Sequence, residues 1–331
     1  MTSITLNSGK VFNIDAGVSI LDAAASNAIS LPYSCKTGRC STCKCKVMAG
    51  ESYALQEEFG LTASEKAAGW ILSCVRAANT DLVLEVEDFG EVELPEIKTL
   101  PCRISSIEKL APDVIRVILR LPPTANFDFI PGQYIDAIGP SGLRRSYSLA
   151  NASSSDKRIE LHIRAVPDGA MSQFWFDQAK QNDLLRLNGP LGTFLLRDVT
   201  DLDLVFLATG TGIAPVKAML ESLTEVTAKQ QPRSVTVLWG GRTEVDLYWD
   251  MASISGNFKF VPVLSRPNSQ WAGACGYVQD VLLSIMPDLS HVAVYACGSD
   301  AMIKSAKALL TQANLPSNRF YSDAFVCSAS N

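Results

Sequence analysis

The stretch Tyr33–Val47, YSCKTGRCSTCKCKV, places four cysteines within eleven positions. Cys35, Cys40 and Cys43 stand as C-x4-C-x2-C, and Cys74 follows later in GWILSCVRA. That is the spacing of a plant-type [2Fe–2S] centre. Two irons require four thiolates. Three can come from one tight loop, and a distant fourth closes the site. Thr37, Gly38, Ser41 and Thr42 are small, so backbone N–H groups can approach the sulfurs and tune them. A structural zinc site is the rival, but it usually has two short paired spacings, and the second pair is missing here. Buried, unliganded thiols are the remaining alternative. Cys45 belongs to the alternating run CKCKV, which predicts a strand with Cys45 and Val47 inward and Lys44 and Lys46 outward. It is expected to be a small buried hydrophobe. The expected metal ligands are Cys35, Cys40, Cys43 and Cys74.

A chain of 331 residues suggests two or three domains. It is 47% hydrophobic and 19% charged, as in an ordinary globular protein. No apolar run reaches the roughly 20 residues that span a bilayer. The start, MTSITLNSGKVF, lacks the basic and apolar regions of a signal peptide. A cytoplasmic location is therefore expected, and nine cysteines there point to metal or redox chemistry. Residues 1–93 hold 7 Lys+Arg against 12 Asp+Glu, while the remainder is balanced. This excludes a basic nucleic-acid-binding surface as the organising feature. It suits an acidic docking face for a protein partner, or simply solubility.

Three sections are expected, with no internal repeat. Residues 1–93 carry two strands (ITLNSG, KVFNID), the helix ILDAAASNA and the strand DLVLEVE. Residues 94–100, within the proline-bounded LPEIKTLP, read as a linker. Residues 101–198 hold short strands separated by Gly, Pro and Asn/Ser turns, which predicts an antiparallel barrel. In residues 199–331, apolar strands (LDLVFLAT, SVTVLWGG, FKFVPVLS, HVAVYACG) alternate with helices (APVKAMLESLTEVTAKQ, YVQDVLLSIM, AMIKSAKALLTQA). That alternation predicts a parallel sheet covered on both faces.

The barrel section contains R-x-Y-S, from Arg145 through Ser146 and Tyr147 to Ser148, followed by the strand RIELHIR. In DGAMSQFWF, Gly169, Met171 and Ser172 mark a helix N-terminus suited to a pyrophosphate. NGPLGTFLL supplies a Gly-Pro-x-Gly turn at the barrel's end. In the last section VFLATGTGIAPVKAML reads strand, glycine turn, helix. Gly210, Thr211 and Gly212 permit a backbone turn near a diphosphate, and Pro215 favours the first helical turn. YACGSDAMI likewise ends a strand and opens a helix.

These motifs together resemble the ferredoxin–NADP reductase superfamily, over the whole chain. The resemblance implies a β-grasp ferredoxin (α+β), an antiparallel FAD barrel and an α/β NAD(P) domain. Arg145 would pair with the FAD pyrophosphate, Tyr147 would pack on the isoalloxazine, and Ser148 would contact its N5/O4 edge. His162, Ile163 and Arg164 would line the flavin, partly through backbone; His162 reads equally well as a satisfied strand histidine. Cys297, Gly298, Asp300 and Met302 would flank the nicotinamide, with a core thiol as the alternative for Cys297. Phe325, in the terminal SDAFV, would lie against the flavin, with Asp323 close by. Of these, Tyr147, Ser148 and Cys297 would stand nearest the hydride transfer. Ser41 departs from the family, where Gly often follows the second cysteine.

The electron count then fits. A nicotinamide gives two electrons as hydride, a [2Fe–2S] cluster takes one, and a flavin mediates between them. No acid or base is needed for that transfer, consistent with only two histidines. NADH is favoured over NADPH, because Glu244 and Asp246 lie close to Arg242 after the second strand. Several stretches look most like the reductases of 3,6-dideoxysugar synthesis, whose partner is a PMP-dependent sugar dehydrase. The same modules serve reductases with an oxygenase component as partner. A subunit or redox sensor that does not itself oxidise NADH is the third reading, against which YACGSDAMI counts. No nucleic acid and no membrane is expected as a partner.

Overall fold

The structure, a computed structural model, describes residues 2–87, 89, 92–153, 156–224 and 231–325. Part of the expected helix APVKAMLESLTEVTAKQ, residues 225–230, lies outside the described residues, as does Val326 of SDAFV. The chain divides into two compact units: residues up to 94 with 192–194, and residues 95–191 with 195–325.

In the first unit β1 (Thr2–Leu6) and β2 (Val11–Ile14) form a hairpin, and α1 (Ile20–Ser26) follows. Ser19 caps α1 by accepting from the Asp22 N–H at 3.0 Å. Then come β3 (Lys44–Ala49), β4 (Ser52–Ala54), α2 (Ala63–Ala67), β5 (Trp70–Leu72), β6 (Arg76–Ala78) and β7 (Leu82–Glu85). Thr62 and Glu65 make a capping box on α2. The main sheet has the order β2-β1-β7-β3-β5, with β1 and β7 parallel. Alternation buries Ile4, Leu6, Phe12, Ile14, Leu82 and Leu84 on one face, together with Ile20, Leu21 and Ala24 of α1. This is the β-grasp arrangement.

The second unit opens with β8 (Lys98–Ala111), β9 (Val114–Arg120), β10 (Tyr134–Ile138), β11 (Arg144–Ser148), β12 (Arg158–Arg164), the single-turn α3 (Ala170–Gln173) and β13 (Leu184–Leu191). The six strands pair in the order β11-β10-β13-β8-β9-β12, each pair antiparallel. A bridge from Leu149 to Leu161 joins the two ends of the sheet and closes the barrel. β8 begins inside the expected linker, because Lys98, Thr99 and Leu100 already pair with Gly189, Asn188 and Leu187. The expected turn at NGPLG is likewise a bulged strand: Tyr134 faces Leu191 while Asp136 faces Asn188, so β13 runs on to Leu191.

The rest of this unit alternates strand and helix: β14 (Asp203–Thr209), α4 (Ile213–Leu223), β15 (Ser234–Gly241), β16 (Phe258–Leu264), β17 (Ala274–Cys275), α5 (Val278–Ile285), β18 (Val292–Ser299), α6 (Asp300–Gln312) and β19 (Phe320–Phe325). All pairs in the sheet β17-β16-β15-β14-β18-β19 are parallel. The order reverses between β14 and β18. In open parallel sheets that switch point opens a crevice beyond the strands' carboxyl ends, where ligands bind.

Candidate functional site

The cysteine loop curls through left-handed conformations at Lys36, Gly38 and Ser41. Ser41, at φ 62°, stands where glycine would be unstrained; its hydroxyl donates to the Gly60 carbonyl at 2.5 Å and anchors the turn. The loop brings Cys35 and Cys40 together, with the Cys35 N–H on the Cys40 sulfur at 3.5 Å. The short 3-10 turn Ser73–Val75 delivers Cys74, whose sulfur lies 3.1 Å from that of Cys43. Thr37 N–H points at the Cys35 sulfur at 3.4 Å. Each pair holds one thiol low through the other's hydrogen bond: Cys40 brings Cys35 down to about 4, and Cys43 lowers Cys74.

Among the described residues no three of His, Cys, Asp or Glu converge on one point to hold a lone ion. The four sulfurs fall instead into two pairs, with backbone N–H groups aimed at them. Two thiolates per iron is what a two-iron cluster requires, so the loop fits [2Fe–2S] and does not fit one tetrahedral zinc. Cys45 is 1% exposed in the core beside these pairs, while Lys44 and Lys46 lie outward over the Trp70 ring.

On the barrel, Arg145 and Tyr147 share a half-buried face of β11 while Arg144 and Ser146 are exposed. The Ser146 hydroxyl is taken by Asp136 at 2.6 Å. Tyr147 is held in place: Trp175 Nε1 donates to its hydroxyl at 3.0 Å, and the two rings meet edge-on. Burial pushes that phenol up to about 12, so it stays neutral. Ser148, one residue on, is buried. Gly169 precedes α3, and the Ser172 hydroxyl accepts from the Val166 N–H at 2.9 Å. Met171 packs in the barrel core, so only its backbone is available to a cofactor.

Strand period divides β12. Ile159, Leu161 and Ile163 enter the barrel core, which leaves Ile163 a backbone contact at most. Glu160, His162 and Arg164 take the opposite face. Both ring nitrogens of His162 have protein partners, Glu160 at 2.9 Å and Tyr248 at 3.1 Å, so the satisfied-histidine reading is the one the geometry favours. Arg164 reaches the glycine turn. A Cβ at Gly210 would lie 3.6 Å from its guanidinium carbon. Its Nη1 donates to Asp246 at 3.3 Å and its Nε pairs with Asp113 at 3.6 Å, while Nη2 is buried without a hydrogen-bond partner. That leaves one guanidinium nitrogen, Nη2, unspent beside the glycine turn, a donor a phosphate oxygen can use.

The two nucleotide motifs meet at the switch point. A Cβ at Gly212 would lie 2.2 Å from the Cys297 carbonyl oxygen, and one at Gly298 2.3 Å from the Thr209 hydroxyl. Only glycine lets the ends of β14 and β18 come this close. The Ser299 N–H donates to Thr209 at 3.2 Å, and Ser299 caps α6. Thr211 is half-buried in the turn, and Pro215 lies in the first turn of α4. Asp300 opens α6 and pairs with Lys304 at 2.8 Å, while Met302 is buried against the sheet. Cys297 has no exposed surface, and burial together with Asp323 raises its thiol, which makes it a neutral core thiol beneath the turn. Phe325 ends β19 opposite Ser299 and is 38% exposed.

Sequence reasoning missed a set of partners around β12. Glu160, Lys217, Glu221 and Tyr248 were legible only as a lysine, with a glutamate four residues on, in the otherwise apolar helix IAPVKAMLESL.

A thiol-paired loop, a closed barrel carrying R-x-Y-S and a parallel sheet with a glycine-lined switch point define an NAD(P)H-dependent iron–sulfur flavoprotein reductase that transfers electrons. Residues 4–79 match the 2Fe-2S iron-sulfur cluster binding domain, 101–195 the oxidoreductase FAD-binding domain and 206–308 the oxidoreductase NAD-binding domain. The chain belongs to the family of the CDP-6-deoxy-L-threo-D-glycero-4-hexulose-3-dehydrase reductases: it is 43% identical to that reductase of Yersinia pestis, over 96% of both chains. It is 30% identical to the reductase component DmpP of phenol 2-monooxygenase from a Pseudomonas species, over 97% of this chain and 93% of the relative. The crystal structure of the Amycolatopsis cytochrome P450 reductase GcoB matches at TM-score 0.75 and 29% identity, over 98% of this chain and 99% of that one. Among the described residues no helix is long and apolar enough to cross a membrane.

Proposed function

We propose that this chain takes hydride from NADH and delivers single electrons to a PMP-dependent sugar dehydrase in 3,6-dideoxyhexose synthesis, in the cytoplasm. The observation that carries this choice of acceptor is the 43% identity, end to end, with a hexulose-dehydrase reductase, against 30% for a phenol monooxygenase component. Cys35 and Cys40 would hold one iron, Cys43 and Cys74 the other. Arg145, Tyr147 and Ser148 would seat the flavin, with backbone from 162–164 and 169–172. Gly210, Thr211, Gly212 and Pro215, together with the backbone of Cys297, Gly298, Asp300 and Met302, would frame the nicotinamide nucleotide, and Phe325 would border the flavin. FAD, when bound, accepts two electrons together and releases them singly. The chain's part is to orient two rings and exclude water; the neutral Tyr147 phenol and Cys297 thiol place no competing acid or base there.

Reconstitution tests the reading. The purified holoprotein with NADH is offered either a PMP-dependent sugar dehydrase or an oxygenase component. Coupled deoxysugar product is expected with the first. Coupled turnover with the oxygenase alone overturns the assignment of acceptor.

A further inference from the structure

Within the second unit a lysine sits where a helix should be apolar. Lys217 is 8% exposed, on the buried side of α4, one turn beyond the glycine turn. Its ammonium donates to Glu221 at 2.6 Å, to the Ala150 carbonyl at 2.9 Å and to Glu160 at 3.4 Å. Glu221 in turn accepts from the Ala152 N–H at 2.8 Å. Ala150 lies two residues past Ser148, and Glu160 lies on β12, so one helix side chain grips both barrel segments next to the proposed flavin seat.

The chain of contacts continues. Glu160 accepts from His162 Nε2–H at 2.9 Å, and His162 Nδ1 accepts from the Tyr248 hydroxyl at 3.1 Å. Tyr248 stands edge-on to Trp239, with centroids 5.1 Å apart, and Trp239 Nε1 donates to the Gly210 carbonyl at 3.0 Å. A chain of contacts, polar as far as Tyr248 and aromatic from there to Trp239, thus runs from the helix through the barrel strand and back to the glycine turn. Burial alone would raise the Glu160 carboxyl, but His162 and Lys217 hold it below its ordinary value, so it remains the anion the lysine needs. A fully satisfied buried network of this kind specifies one packing geometry.

We infer that Lys217 is a positioning residue for hydride transfer: through Glu160, Glu221 and Ala150 it fixes the barrel against the nucleotide sheet, and so sets the separation of flavin and nicotinamide. This rests on the flavin and nucleotide seats proposed above. Hydride donor and acceptor must stand about 3–3.5 Å apart, and an error of about 1 Å can cost on the order of 100-fold in rate.

The test uses the FAD- and cluster-loaded protein and anaerobic mixing with NADH. For Lys217→Met, flavin and iron content and the NADH dissociation constant are expected to stay within about twofold of the parent. The limiting rate of flavin bleaching should fall at least about tenfold, and the long-wavelength NADH–flavin charge-transfer absorbance should fade. Lys217→Arg should recover most of both. In FAD-free protein, the amides of residues 149–153 and 158–164 should exchange faster in Lys217→Met than in the parent. Should Lys217→Met not fold, Tyr248→Phe, which removes one hydroxyl from the far end of the path, is expected to slow bleaching about threefold with unchanged NADH affinity. Parent-like bleaching and charge-transfer absorbance in Lys217→Met, or in Tyr248→Phe where that stands in, overturns the inference alone. A parent protein that NADH cannot bleach overturns the functional reading, and this inference with it.

Discussion

Gly212→Ala isolates the approach of the two nucleotide turns. Gly212 has ordinary right-handed dihedrals, φ −60° and ψ −12°, so alanine brings no backbone strain. On propensity alone the change should stabilise, by about 0.4–1 kcal/mol through the unfolded chain. The obstacle is steric. The new methyl would start 2.2 Å from the Cys297 carbonyl oxygen and 2.9 Å from Gly298 Cα, while real Cβ contacts essentially never fall below 3.0 Å. The ends of β14 and β18 must therefore part by about 0.8 Å, at the crevice proposed to take the nucleotide. Overpacking of this kind costs about 1–3 kcal/mol, which outweighs the propensity gain. A displacement near 1 Å at a hydride-transfer site costs on the order of 100-fold. The expected result is a lower melting temperature and flavin reduction by NADH slowed by about two orders of magnitude, with FAD and cluster absorbance retained. The assay is anaerobic stopped-flow bleaching of the flavin, with melting followed in parallel. A variant that melts higher than the parent and bleaches at the parental rate would refute the steric reasoning.

Cys74→Ser should lose the cluster's visible absorbance and cytochrome c reduction while keeping NADH–ferricyanide activity. Cys45→Ser should keep the absorbance and both activities and melt lower, since it buries a hydroxyl whose unmet hydrogen bond costs about 1–3 kcal/mol. Burial lowers the His162 imidazole below its ordinary value; Glu160 opposes that shift, while Lys217 and Arg116 add to it. Below about pH 6.5 the unfolded chain thus binds a proton that the folded chain refuses, and stability should fall with acidification by up to about 1.4 kcal/mol per pH unit until the folded imidazole titrates. Denaturant titrations at pH 7.5, 6.5 and 5.5 on the parent and His162→Gln check this: the variant should lose that dependence, and parallel curves would contradict it.

The cysteine spacing, the strand alternation of CKCKV and the change from short strands to alternating strand and helix were legible because each depends on local period or ligand count. The Ser41 departure was legible as a departure, but its remedy, a hydroxyl tied to Gly60, is a contact across 19 positions that no local pattern encodes. The NGPLG segment read as a turn because Gly and Pro punctuate chains; opposite a bulge they were instead absorbed into β13. His162 stood undecided in the sequence because a partner that favours the satisfied reading, Tyr248, lies 86 positions away. Lys217 was not singled out at all, since helical period alone does not say that an Ala-rich helix is covered on the lysine's side too.

Closure of the barrel through Leu149 and Leu161 has an evolutionary corollary. Once its own greasy positions are sealed inside, β12 offers its neighbour a row of acid, imidazole and guanidinium, not an oily surface that would accept any cover. Recombination that grafted a foreign nucleotide half onto this barrel would strand Glu160 in a dry seam without its ammonium, a loss of about 3–5 kcal/mol. Barrel and nucleotide halves should therefore descend as a matched pair, joined by a charge code that a swap must carry across whole.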